Sequence, residues 1–154
     1  MKLHGPERYV LTFDRKHFEV RAPDGGNKFV GRASDREPKL YIFSEREIPF
    51  YVGVTRQPVR ARLRLGWSAK GKSGYHGYAF RRHLRQANLD VWYIESSNAN
   101  GIGMDAETIE AEIVFLIRFN GQWPKYQTEI HFHSSESWHR ELAASVLGHY
   151  GVAC

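Results

Sequence analysis

Two short apolar runs, Leu40 to Phe43 and Phe50 to Val54, each hold a tyrosine, and the polar stretch SEREIP lies between them. Such a pair reads as two strands joined in an antiparallel hairpin. Pro58 follows almost at once and suits the first turn of a helix, with Thr55 or Gln57 near its cap. Val59, Leu63 and Trp67 are spaced to form that helix's buried face. A hairpin feeding directly into an amphipathic helix makes the class α/β, with a small, largely antiparallel central sheet flanked by helices.

The rest of the chain fills in around this unit. Tyr9 to Phe13, His17 to Val20 and Lys28 to Val30 alternate apolar and polar residues, and PDGGN (Pro23 to Asn27) is a turn signal. Residues 1–38 thus read as an N-terminal β extension, a core as 39–133, and 134–154 as a C-terminal helix packed on the same domain. Within the core, a second helix is expected from about Tyr75 to Ala87 and a strand from Val91 to Glu95. SSNANGIG, with Gly101 and Gly103, reads as a loop. Asp105 to Phe119 is the clearest helix, because Ile109, Ile113, Leu116 and Ile117 recur on one face. Thr128 to Phe132 reads as extended. Ser134 or Ser135 would cap a last helix ending near Tyr150-Gly151.

At 154 residues, 42% hydrophobic and 25% charged, the composition is that of one ordinary globular domain. Cys154 is the single cysteine, so an internal disulfide and a multi-thiolate zinc site are excluded. No apolar run has the length of a membrane span, and Met1 to Pro6 is too polar for a signal peptide, so a cytoplasmic location is expected. The net charge of +5 is unevenly distributed. No acid lies between Glu47 and Asp90, an interval that holds Arg56, Arg60, Arg62, Arg64, Lys70, Lys72, Arg81, Arg82 and Arg85. Trp67, Tyr75, Tyr78 and Phe80 are interleaved with them, and cations mixed with planar side chains are the footprint of a polyphosphate partner. A solvated helix surface balanced by acids elsewhere is the plainer reading of the same charges.

The order of hairpin, Arg-bearing helix, second helix, strand and carboxylate-bearing helix resembles the GIY-YIG nuclease family. Leu40-Tyr41-Ile42 stands where the family has its first triplet, with Leu40 in place of glycine. Tyr51-Val52-Gly53 matches the second triplet. Arg62-Leu63 matches the family's arginine and following apolar residue. Glu110 or Glu112 stands for the helix glutamate, and Gln127, closing Pro124-Lys125-Tyr126-Gln127, stands where Asn is usual. The histidine often found one turn after the arginine is absent. Gly66 is there, leaving His76 or His83 as substitutes. The resemblance covers roughly Lys39 to Gln127.

What it implies is a Mg²⁺- or Mn²⁺-dependent DNA endonuclease. Tyr41 and Tyr51 would position the attacking water, and Arg62 would clamp the phosphate. A glutamate would bind the metal: Glu112 by its separation from Gln127, with Glu110 the alternative. Arg56, Arg60, Arg64, Lys70, Lys72, His76, Arg81, Arg82 and Arg85 would bind the nucleic-acid backbone. Two copies would be needed if both strands are cut. Restriction, repair and mobile-element cleavage all stay open.

The chemistry asks for these residue types on its own terms. Phosphodiester hydrolysis needs an oriented water and neutralisation of charge on phosphorus. Arginine offers a planar fork that never loses its charge, and one carboxylate suffices for a Mg²⁺ that keeps most of its waters. An unperturbed phenol, with a pKa of about 10, is a poor base at neutral pH, so the arginines or the metal would have to depress it. Plainer readings stand beside each residue. Tyrosine is a favoured strand residue, and either glutamate fits the polar side of a helix. His131 and His133 would share a strand face but lack a third ligand. The rival function is a non-catalytic nucleic-acid-binding module on the same scaffold.

Overall fold

The computed structural model describes residues 2–95, 102–119 and 135–151. Strands β1 (Lys2–Phe13), β2 (Phe18–Arg21), β3 (Lys39–Glu45), β4 (Ile48–Thr55) and β5 (Gln86–Glu95) form one sheet in the order β2-β1-β5-β3-β4. Every neighbouring pair is antiparallel. Helices α1 (Val59–Ser68), α2 (Ile102–Phe119) and α3 (Ser137–Gly148) complete the α/β architecture. None of the described helices is long and apolar enough to cross a membrane.

Strand periodicity divides the core into two layers. Tyr41 and Phe43 of β3 join Phe50, Val59, Leu63, Trp67, Tyr78, Phe80, Leu89 and Val91 in an aromatic-rich cluster under α1. Leu40 and Ile42, their alternates, join Val52, Ile109, Ile113, Ile117, Val146 and Leu147 in an aliphatic cluster under α2 and α3. The N-terminal strands extend the same sheet, and Tyr9, Leu11, Phe13 and Phe29 belong to the aromatic cluster. The β3–β4 hairpin closes through Arg46 and Glu47, with φ of 50° and 62°. Two consecutive positive φ values are the signature of the two-residue turn whose twist matches the flanking strands.

Several local expectations change. Residues 28–30 are not a strand: the chain turns through the Asp24 carboxylate, which accepts from the Gly26 amide at 2.8 Å, and then enters a 3₁₀ turn at Gly31–Ser34. Phe29 reaches the core from this loop, its ring 4.7 Å from that of Tyr9. The helix expected over Tyr75 to Ala87 is reduced to one 3₁₀ turn, Ala79–Arg82. Gly77 takes a φ of 71°, which an α-helix does not accommodate, and from Gln86 the alternation of Ala87, Leu89 and Val91 into the core already belongs to β5. Gly103 is helical within α2 rather than part of a turn. Pro58 itself holds the cap position of α1. Glu136, not Ser134 or Ser135, caps α3 in a reciprocal capping box, its amide donating to His139 Nδ1 at 2.9 Å. The expected strand at 128–132, Gly101, Gln127, His131 and His133 lie outside the described residues.

Candidate active site

In the hairpin register Tyr41 lies directly across from Gly53. A Cβ on Gly53 would fall 2.6 Å from the Tyr41 hydroxyl oxygen and 2.5 Å from Cζ. The Tyr41 ring therefore passes over Gly53 toward β4, the edge of the sheet among the described residues. A side chain there would deny the phenol its path, which is the physical need for glycine after Tyr51-Val52. Tyr51, next along β4, stacks on Tyr41 with centroids 6.1 Å apart and planes 24° from parallel.

The helix after the hairpin brings the cation. Val59, Leu63, Gly66 and Trp67 turn inward, so Arg62 sits on the flank of α1, half-buried. Its Nη1 donates to the Tyr75 hydroxyl at 2.7 Å, and its guanidinium stands 5.6 Å from the Tyr75 ring and 5.4 Å from the Tyr78 ring. No ion pair joins Arg62 to a carboxylate among the described residues.

One turn beyond Arg62, the missing side chain of Gly66 has a use. A Cβ there would fall 2.1 Å from the Tyr78 ring. Tyr78 fills that space, stands perpendicular to Tyr51 at 5.2 Å, and shares a 2.9 Å hydrogen bond between its hydroxyl and that of Tyr41. The space beside Gly66 is thus filled by a phenol, while His76 and His83 are both exposed. The sequence carries a signal for this: a glycine on the flank of a buried helix next to the arginine leaves a hole that a nearby aromatic must fill.

Electrostatics also separate the two glutamates. The Glu110 carboxylate, buried on α2, lies close enough to Tyr41 and Tyr51 to push both phenols up. Glu112 turns toward α3, its Oε1 3.9 Å from Arg140 Nε. Two residues apart on a helix means about 200° of rotation, and Glu110 is the one on the side of the phenols. Glu110 and Glu112 thus have different surroundings, the first acting on the two phenols and the second on Arg140.

Burial raises Tyr41 well above the ordinary phenol range, and raises Tyr51 and Tyr78 as well; the Arg62 charge opposes the shift in all three without overcoming it. Arg62 alone does not depress these values, because desolvation outweighs one cation. The phenols keep their protons at neutral pH.

The surrounding cations divide. Arg56, Arg64, Lys70, Lys72, His76, Arg82 and Arg85 are exposed. Arg60 is half-buried over the rings of Phe18 and Phe29, at 5.9 and 5.7 Å. Arg81 is a correction. It is 4% exposed, and its guanidinium donates to the carbonyls of His76 and Tyr78 at 2.9 Å each and of Ala69 at 3.1 Å. It staples the loop that delivers Tyr75 and Tyr78, and its burial removes it from the surface that a phosphate would meet.

Among the described residues no group of three or more His, Cys, Asp or Glu is arranged to hold a metal ion. A single carboxylate, that of Glu110 or of Glu112, would be enough for a hard cation that keeps most of its waters. No family model, no curated protein and no solved structure matches the chain.

Proposed function

We propose that the chain is a metal-dependent DNA endonuclease with a GIY-YIG-like core. The observation that carries this reading is Arg62: a half-buried guanidinium with phenols around it and no carboxylate to neutralise it among the described residues. A desolvated cation without a counter-charge is costly in a structural part and useful in an anion site. Arg62 clamps two non-bridging oxygens of the scissile phosphate through its planar fork. Tyr41 and Tyr51, protonated and stacked at the sheet edge, orient the attacking water by hydrogen bonding, and Tyr78 fixes the Tyr41 hydroxyl. Glu110 would hold the Mg²⁺ or Mn²⁺, with Glu112 the alternative. When bound, that ion supplies charge neutralisation on phosphorus and a more acidic water.

A second reading, a nucleic-acid-binding module without turnover, draws on the complete burial of Tyr41 and the upward shift of its phenol. The two readings part in a plasmid assay. Incubation of supercoiled DNA with the protein should give nicked or linear product in Mg²⁺ or Mn²⁺ and none in excess chelator. Binding without cleavage in every divalent ion tested would favour the module.

A further inference from the structure

Helix α1 is a ridge between two basic grooves. On one flank, Arg60 and Arg64, one turn apart, combine with Asn27, Lys28, Phe29 and Ser34 of the N-terminal extension to line a groove of about 600 Å³. On the other, Arg62 combines with Ser68, Lys70, Lys72 and Tyr75 in a groove of about 490 Å³. Neither lining contains an acid, and none of these cations has a carboxylate partner among the described residues. Between the grooves, Ala61, Leu65 and Ser68 form an exposed crest, also free of acids, with Leu65 half exposed at 50%.

The dimensions favour one partner. An α-helix is roughly 10–12 Å across, and the major groove of B-form DNA is about 12 Å wide with a phosphate backbone on either side. A-form RNA has a major groove too narrow for a helix. A single strand has only one backbone and needs only one of the two basic grooves.

Resting on the nuclease reading, we infer that α1 straddles the DNA duplex, with one backbone in each flanking groove. The crest enters the major groove. The strand to be cut lies in the groove of Arg62, Lys70 and Lys72, and the opposite strand lies in the groove of Lys28, Arg60 and Arg64. The N-terminal β extension thereby acquires a role, since Lys28 and the loop after β2 build the contact to the uncut strand. Small apolar Ala61 and Leu65 at the crest pack against base edges, thymine methyls included, without demanding a particular sequence.

The test is fluorescence anisotropy over a salt series, in chelator so that cleavage plays no part. The probes are a labelled 20-base-pair DNA duplex, its single strand, and an RNA duplex of the same sequence. Duplex DNA should bind at least tenfold more tightly than either of the others. Lys28→Ala with Arg64→Ala, both exposed, should lower the salt slope on duplex DNA by about two units, one per phosphate contact, and leave single-strand binding unchanged. Lys70→Ala with Lys72→Ala should lower the slope on both DNA forms. Circular dichroism of each variant establishes that it is folded. Equal affinity for single strand and duplex, or an unchanged duplex slope in the Lys28/Arg64 variant, overturns the straddling. A chain that gives that result and still cuts plasmid retains the nuclease reading and loses only this geometry.

Discussion

Asp90 and Arg62 are both charges taken partly or wholly out of water, and their surroundings differ in kind. Asp90, at 0% exposure on β5, accepts both ends of an Arg8 fork at 2.8 Å each and a third hydrogen bond from the Tyr150 hydroxyl at 2.8 Å. Arg8 in turn bridges to Glu47 in the β3–β4 turn. Every strong partner is supplied by the fold, and the cluster ties β1, β5, the hairpin turn and the end of α3 together. Arg62 has a single phenol hydroxyl and two ring faces. A charge that the fold satisfies is a fastening. A charge that the fold leaves short of its counter-ion is placed for something that arrives later.

The largest effect that bears on this contrast is expected at the fastening. Arg8→Ala leaves the Asp90 carboxylate buried with only Tyr150 and the more distant His149, 3.8 Å away. Stability should fall by about 3 kcal/mol or more, roughly 10 °C in melting temperature. A melting curve checks this, and an unchanged midpoint would place Asp90 among ordinary surface charges. Arg62→Lys should do the reverse. With charge kept and the fork lost, turnover should drop about 10²- to 10³-fold, while melting temperature and DNA affinity stay close to the parent's. If this variant cuts like the parent, Arg62 is not the phosphate clamp.

How much of this was legible differs from residue to residue. The hairpin, α1 and most of α2 follow from local periodicity, while Tyr41, Tyr51 and Arg62 are singled out by the family resemblance of that short segment. The partners of Asp90 do not. Arg8, Glu47 and Tyr150 are joined by strand register and by the path of α3, neither of which leaves a mark on nearby sequence. The same holds for Tyr78, whose place is set by the hole at Gly66, and for Arg81, which looks like its exposed neighbours until the 69–78 loop folds over it. Glu110 and Glu112 alternate on a helix with apolar residues on both sides, so only the packing of α2 against β4 and α3 separates them. The second helix shrinks to a single 3₁₀ turn because the chain takes a positive φ at Gly77 and has already entered β5 at Gln86.

A smaller effect should appear in alkali and should touch both regions alike. Burial raises the phenols of Tyr41, Tyr51 and Tyr78 at the site and of Tyr150 beside Asp90, and pushes that of Tyr9 up to about 12. The folded state therefore favours their neutral forms. That stability is fully present below the unfolded value near 10 and is lost as pH rises through the folded values. Denaturant midpoints should thus hold steady up to about pH 10. Above it the unfolding free energy should fall by about 1.4 kcal/mol per pH unit for each phenol that must be kept neutral, and the midpoint with it. Tyrosinate absorbance rising well before the midpoint moves would show that these phenols ionise within the folded protein.

The most direct measurement is a comparison of Glu110→Gln with Glu112→Gln in plasmid cleavage with Mg²⁺, alongside DNA binding in chelator. Both changes keep side-chain shape and remove charge. Glu110→Gln should abolish cleavage while retaining the fold and DNA binding, and Glu112→Gln, which loses only a 3.9 Å contact to Arg140, should cut at close to the parental rate. Parental cleavage by Glu110→Gln would contradict a metal site at the sheet edge beside Tyr41, Tyr51 and Arg62.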